Sequence, residues 1–368
     1  MKYCKLIDVC DFQGGSQPPK SDWITEPKDG YIRMLQIRDF TQNYGKPEYV
    51  KITSAIKTCK SDDILIARYG ASVGKILTGL SGAYNVGIMN TIPNEKILLK
   101  RYLYYFLKSN LFQNYILNVG SRAAQAGFNK EDLAGINIQV HSIETQKNII
   151  LQLENIDKLI NLRKKAIEKC NNLIKSQFVE MFVDKNYPLK TLESISNNKG
   201  EYGAGSASVP YDYTRPRYVR ITDINEDGTL NEDYVSSIDV NDDITYKLEY
   251  GDFMFARMGA TVGKTYAYEK GNQIFAGYLI RFKLNTDIVN PKYLFWFTKT
   301  NKYKEWVKLN QSGAAQPGIN AKKYGLLEIP IPPIELQNKF AKIVEQIDKQ
   351  KFVGTKIARL LGKIAILC

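Results

Sequence analysis

Histidine is nearly absent from this chain: His141 is the only one among 368 residues. A single imidazole removes histidine-dependent triads and histidine-rich metal sites from consideration. Cysteine is scarce as well. The five residues Cys4, Cys10, Cys59, Cys170 and Cys368 are odd in number and never spaced Cys-x-x-Cys. They read as reduced thiols of a cytoplasmic protein, not as a disulfide frame or a zinc site. No apolar run approaches the roughly 18–20 residues that cross a bilayer, and the opening Met1-Lys2-Tyr3-Cys4-Lys5 lacks the apolar stretch of a secretion signal. No Pro-Asp dipeptide occurs, so the usual opening of the nuclease pattern Pro-Asp…Glu-x-Lys is missing. The two Pro-Pro pairs, Gln17-Pro18-Pro19-Lys20 and Ile331-Pro332-Pro333-Ile334, do not form the Asn/Asp-Pro-Pro-aromatic tetrapeptide with which an adenine methyltransferase holds its base. No catalytic residue, metal site or cofactor is expected of this chain.

Acidic residues also fall short, 38 against 51 basic ones, for a net charge of +13. The first 187 residues hold 26 basic and 18 acidic side chains, and the remainder 25 and 20. Both halves are therefore basic, which favours a polyanionic partner.

What the chain does have, it has twice. Asp63-Ile-Leu-Ile-Ala67-Arg68-Tyr69-Gly70-Ala-Ser-Val-Gly74-Lys75 returns as Asp252-Phe-Met-Phe-Ala256-Arg257-Met258-Gly259-Ala-Thr-Val-Gly263-Lys264. Tyr31-Ile-Arg33 returns as Tyr218-Val-Arg220, and Ala123-Ala-Gln125-Ala-Gly127-Phe-Asn129 as Ala314-Ala-Gln316-Pro-Gly318-Ile-Asn320. The order is kept while the offset moves only from 187 to 191. A period this long is a whole domain written twice, not a solenoid unit. Two copies of one reader suit a two-fold or repetitive partner, and duplex DNA is the obvious one.

Each half divides into a strand-rich part and a helical part. Short apolar runs such as Ile64-Leu-Ile-Ala67, set between Gly14-Gly15, Pro18-Pro19 and Asp29-Gly30, predict strands and turns. Residues 102–108 and 293–299 predict a buried helix in each copy, and 138–140 and 329–331 a closing strand. Beyond Ser142, Gly and Pro vanish until Pro188, and Ile149, Leu153, Ile156, Ile160, Ile167, Cys170, Ile174 and Met181 recur at steps that mark one face of a long helix. In the second copy Phe340, Val344 and Ile347 continue the same stripe, while Gly354 and Gly362 weaken it by about 1 kcal/mol each. Neither helix is stable alone. The economical arrangement pairs them antiparallel, with a seam of Ile149, Leu153, Ile156, Ile160, Ile167, Phe340, Val344 and Ile347. The expected boundaries are 1–142, 143–185, 186–333 and 334–368.

The repeated Gly-x-x-x-Gly-Lys resembles a phosphate-binding loop, but that loop has four residues between its glycines, and Ile76 follows Lys75 where a hydroxyl is needed. A stand-alone NTPase is thus the weaker alternative, as is a scaffold that spaces two partners without touching DNA. Two readings of the loop stay open: a tight hairpin that needs its glycines, or a glycine turn whose lysine touches a DNA phosphate. Arg68, Lys75, Arg257 and Lys264 are the candidate phosphate contacts. Arg122, Gln125, Gln316 and Lys322, in or beside the second repeated motif, are further DNA-contact candidates, Gln because it can pair with adenine edges. Asn129 and Asn320 read foremost as helix caps or turn residues.

The whole chain resembles the specificity subunits of type I restriction–modification systems. The resemblance rests on the duplicated Ala-Arg-x-Gly-Ala-x-Val-Gly-Lys, the duplicated Ala-Ala-Gln-x-Gly-x-Asn, the Ile329-Pro-Ile-Pro-Pro-Ile-Glu-x-Gln337 start of a helix, and two long helices alternating with two mixed domains. The first copy departs from the helix-start pattern, reading Ile138-Gln-Val-His-Ser142 before Ile143-Glu-Thr-Gln146. The resemblance implies an α+β fold in which two target-recognition domains are separated by an antiparallel coiled coil. It implies that each domain reads half of a split sequence in double-stranded DNA. It also implies two DNA adenine methyltransferase subunits docked on the helices and, in systems that cleave, ATP-dependent restriction subunits. The stretches without a twin, 25–28, 38–46 and 199–217, are where the half-site readers should differ.

Overall fold

The computed structural model describes residues 2–42, 45–120, 127–238, 244–312 and 317–367. The chain divides into two compact units, Met1–Lys165 with Gly354–Cys368, and Ala166–Val353.

In the first unit Ile64–Ala67 is the hub. It pairs antiparallel with Ile88–Pro93 on one side and Ile76–Leu77 on the other, and Cys10–Gly14 completes the sheet. All four hub residues are buried, because both faces of the strand are covered. Successive side chains point to opposite faces. Ile64 and Ile66 accordingly join the cluster formed with Leu103, Leu107, Phe112 and Ile116, from the helices Lys100–Lys108 and Asn110–Gly120. Leu65 and Ala67 join Leu35, Leu77 and Tyr84 on the other face. A second sheet runs Tyr49–Lys51, Tyr31–Leu35, Gly82–Tyr84, Thr58–Cys59; its middle pair is parallel, with Met34 opposite Ala83. The closing strand Asn137–Val140 returns antiparallel to the first strand, Lys2–Lys5.

The second unit repeats this plan. Asp252–Ala256 lies between Leu279–Lys283 and Thr265–Ala267, with Phe253 and Phe255 facing one cluster and Met254 and Ala256 another. Arg217–Val219 and Gln273–Phe275 form the parallel pair, and Glu328–Pro330 closes on Leu189–Thr191. The helix expected at 293–299 spans Pro291–Phe297, where Asn290 caps it by accepting from Lys292 N.

The two long helices run Ile143–Phe182 and Ile334–Leu367. The first, at 40 residues, reaches about 60 Å at ~1.5 Å per residue. Residues up to 165 share a unit with those from 354 onward, and residues 166–182 share one with 334–353. That is the order of an antiparallel pair. Within the second unit the contact is aromatic: Phe178 and Phe182 each lie 5.5 Å from Phe340, and Phe182 lies 4.8 Å from Tyr293. Val344 and Ile347 extend this cluster together with Ile174. Of the other seam residues, Leu153 is buried, whereas Ile149, Ile156, Ile160 and Ile167 are half-buried. The two glycines do not break the second helix.

Each long helix begins on a buried glutamine. Gln146 and Gln337 are both fully buried. The Gln146 amide nitrogen donates to Ile97 O (2.7 Å) and His141 O (2.9 Å), and its oxygen accepts from Leu99 N (2.9 Å). Gln337 does the same with Ile288 O (3.0 Å), Pro332 O (2.8 Å) and Asn290 N (2.9 Å). Three main-chain groups from two separate segments are thus satisfied by one fully buried side chain. Gln337→Leu keeps the volume and strands all three groups. It should cost about 3 kcal/mol, read as a lower denaturation midpoint of the transition that carries the Trp296 and Trp306 fluorescence. An unchanged midpoint would show that the latch is dispensable.

Candidate nucleic-acid interface

The repeated motif folds as a hairpin in both units. Ala67 and Ala256 end the hub strand, a one-turn 3-10 helix follows at Gly70–Ser72 or Gly259–Thr261, and the chain returns as Ile76–Leu77 or Thr265–Ala267. The turn bonds match one for one: Gly74 N donates to Ala67 O (3.0 Å) and Gly263 N to Ala256 O (3.1 Å), while Lys75 N donates to Ser72 O and Lys264 N to Thr261 O, both at 3.0 Å. The glycines occupy left-handed backbone, with φ of 68° and 80° at Gly70 and Gly74 and 71° and 85° at Gly259 and Gly263. The loop leads into a strand and not into a helix. A phosphate-binding loop of the NTPase kind needs a helix N-terminus there, so the fold removes that alternative.

The two glycines of each loop are required for different reasons. A Cβ on Gly74 would lie 2.6 Å from Ile116 Cγ2, and one on Gly263 would lie 2.9 Å from Val307. Gly70 and Gly259 face open space, so only their φ matters. The carbonyl of the second glycine is held in both copies, by different chemistry. Gln113 Nε2 donates to Gly74 O (2.9 Å), and the Tyr303 hydroxyl, in the equivalent position, donates to Gly263 O (2.9 Å).

The fold brings the two repeated motifs together. Tyr69 bridges Gly127 and Met258 bridges Gly318, each in antiparallel register. A Cβ at Gly127 would collide with the Tyr69 ring at 2.5 Å and one at Gly318 would sit 3.3 Å from Arg257 O. Glycine in the second motif therefore admits the first. The asparagines act locally, as expected. Asn129 Oδ1 accepts from Asp132 N (3.0 Å), and Asn320 caps the helix Ala321–Gly325 by accepting from Lys323 N (2.9 Å). The candidates Arg122, Gln125 and Gln316 lie outside the described residues.

The four basic candidates are not alike. Arg68 is half-buried and spends its donors on backbone: Nε to Phe128 O (3.1 Å) and Nη1 to Val86 O (3.3 Å). Arg257 is half-buried too, 4.8 Å from the Tyr202 ring centroid. Lys75 is exposed and has no ion pair among the described residues, and Lys322 is exposed on its short helix. Lys264 instead pairs with Glu226 at 2.9 Å. Beside it, burial lowers the Lys299 ammonium to about 8, against the pull of Glu226 and Asp227. The duplicated lysine thus has no ion pair among the described residues in one copy and is paired with Glu226 in the other.

The model for the type I restriction modification DNA specificity domain matches residues 1–172 and again 186–360. Two matches in tandem cover nearly all of the chain, which belongs to this family. Among curated relatives it is similar to the type I restriction enzyme MjaVIII specificity subunit of Methanocaldococcus jannaschii, 21% identical across 94% of this chain and 85% of that one. In solved structures the fold is shared with a chain from the type I R-M system (TM-score 0.58, 16% identity, 100% of this chain and 95% of that one). It is shared also with the S subunit of the type I restriction-modification system from M. genitalium (TM-score 0.56, 17% identity, 99% and 93%). The chain is a DNA-specificity subunit with two recognition domains, the part of such a system that selects a sequence and not the part that alters it. Among the described residues no helix is long and apolar enough to cross a membrane.

Crowding separates the two glycine classes experimentally. Gly74→Ala and Gly263→Ala meet both a clash and a left-handed φ, and should lower the melting temperature of the unit concerned more than Gly70→Ala or Gly259→Ala. The latter pair meet strain alone, about 1 kcal/mol. Equal losses in all four variants would refute this account of the hairpin.

Proposed function

We propose that residues 1–142 and 186–333 each read one half of a split DNA sequence and that the helices at 143–185 and 334–368 set the spacing between the halves. The observation that carries this is the pairing of one construction, a glycine hairpin clasped by the second repeated motif, with one attachment, the buried glutamine, in both units. The catalytic work falls to partners, two DNA adenine methyltransferase subunits and, in a system that cleaves, ATP-dependent restriction subunits, all in the cytoplasm. Inserting seven residues into the Ile143–Phe182 helix adds about 10 Å, roughly three base pairs at ~3.4 Å each. Methylation-site mapping should then show both half-sites kept and a longer gap between them. Exchange of residues 1–142 for the matching domain of a relative should change one half-site only. A gap that ignores helix length, or a swap that alters both halves, rules the reading out.

Lys75 and Lys322 are the exposed backbone contacts in this reading, while Arg68 and Arg257 shape the hairpin behind them. Lys75→Ala should weaken target and non-target DNA alike and reduce the salt slope by about 1. Lys264→Ala should do less, because Glu226 already compensates that charge. Titrations at several salt concentrations decide it: a larger loss at Lys264 than at Lys75 would reverse the assignment.

A further inference from the structure

The second unit carries a surface feature that the first does not. Strand Ser208–Pro210 is the outer strand of its sheet, paired antiparallel with Ser236–Ile238. Beyond it the chain turns through residues 211–216, and three tyrosines stand at this end of the pair: Tyr213 is 88% exposed, Tyr234 74% and Tyr211 52%. The turn is braced and not loose. Asp212 N donates to Ser237 Oγ (3.1 Å), which in turn donates to Asp212 O (3.2 Å), and Ser237 is fully buried. Within the turn Asp212 Oδ1 accepts from Thr214 N (2.9 Å) and Thr214 Oγ1 (2.7 Å). Tyr234 is held through its carbonyl, which accepts from Arg220 Nη2 at 3.2 Å. At the matching edge of the first unit, where Ile24 bridges Tyr49, no comparably exposed tyrosine stands among the described residues.

Exposed aromatic rings on a rigid turn gain nothing from the fold and are poised for an outside partner. The charges around them say which part of a DNA duplex that partner surface would be. Arg217 pairs with Glu232 (2.8 Å), Arg220 with Asp223 (2.8 Å) and Arg215 with Asp212 (3.7 Å). Each of these three guanidiniums is matched by a carboxylate, which weakens the edge's attraction to phosphate. It offers ring faces, hydroxyls and carboxylate acceptors, which are the groups that read base edges.

We propose that Tyr213, Tyr234 and Tyr211 form the base-reading edge of the second recognition domain and determine the identity of one DNA half-site without contributing to backbone affinity. This rests on the half-site reading above. The experiment uses the full chain assembled with its methyltransferase subunits, and maps methylated sites for the wild type, Tyr213→Ala, Tyr234→Ala and the double variant. All these side chains are exposed, so the variants should fold and assemble normally. Positions within one half-site should become degenerate, with at least a tenfold fall in preference for target over non-target DNA. The other half-site and the salt slope should stay as in the wild type, and Tyr213→Phe should retain part of the preference. An unchanged motif overturns the proposal. So does equal weakening of target and non-target DNA with a flatter salt slope, which would make the edge a phosphate contact. Loss of methyltransferase assembly with DNA binding intact would make it a protein-docking edge and overturn it too. A wild-type complex that methylates no split sequence would sink the half-site reading itself, and this proposal with it.

Discussion

Each recognition domain is joined to its helix by one buried side-chain amide. Gln146 and Gln337 sit in the first turn of their helices and satisfy two carbonyls and one N–H from the segment before the helix and the one that opens the helical layer of the domain. Glutamine is suited to this because it alone combines two donors and an acceptor at that reach, with no charge to bury. Since the amide itself is fully buried in both copies, rotating the helix away would break all three hydrogen bonds. The direction in which each helix leaves its own sheet therefore follows from a hydrogen-bond constraint, and the hydrophobic contacts only have to agree with it.

The two copies keep backbone geometry and exchange the side chains that support it. The hairpin requires glycine at two points, and has it in both. The brace on the second glycine's carbonyl requires only a donor, and glutamine serves in one copy and tyrosine in the other. Asp63 and Asp252 each accept from the main chain three residues earlier, yet the first is paired with Lys100 and the second with the buried Arg281. Burial pushes the Asp252 carboxyl up, and the arginine opposes that. Steric demands on the backbone admit one solution; electrostatic demands admit several.

Much of the candidate site was legible because it was written twice. The hub strands, the hairpins, the asparagine caps and the helix starts all lie in the repeated text. Less legible are the residues whose surroundings depend on what folds next to them. Arg68 read as a phosphate contact, but Phe128 and Val86, 60 and 18 residues away, supply carbonyls for its guanidinium. Phe178 and Phe182 escaped the helix stripe, which runs through Ile174 to Met181; they are buried by Phe340 and Tyr293 from elsewhere in the chain. The tyrosine edge has no periodicity to announce it, since an exposed ring and a core ring look alike in a sequence.

By itself the sequence determined that the protein is a duplicated, basic chain with two long helices, because order, charge and apolar spacing are properties of the chain. Only the tertiary structure decided which of the two lysines is ion-paired among the described residues. It also decided which arginine faces backbone, and which tyrosines face outward. Each of those depends on a neighbour distant in sequence, and the pairing of distant segments is what folding adds.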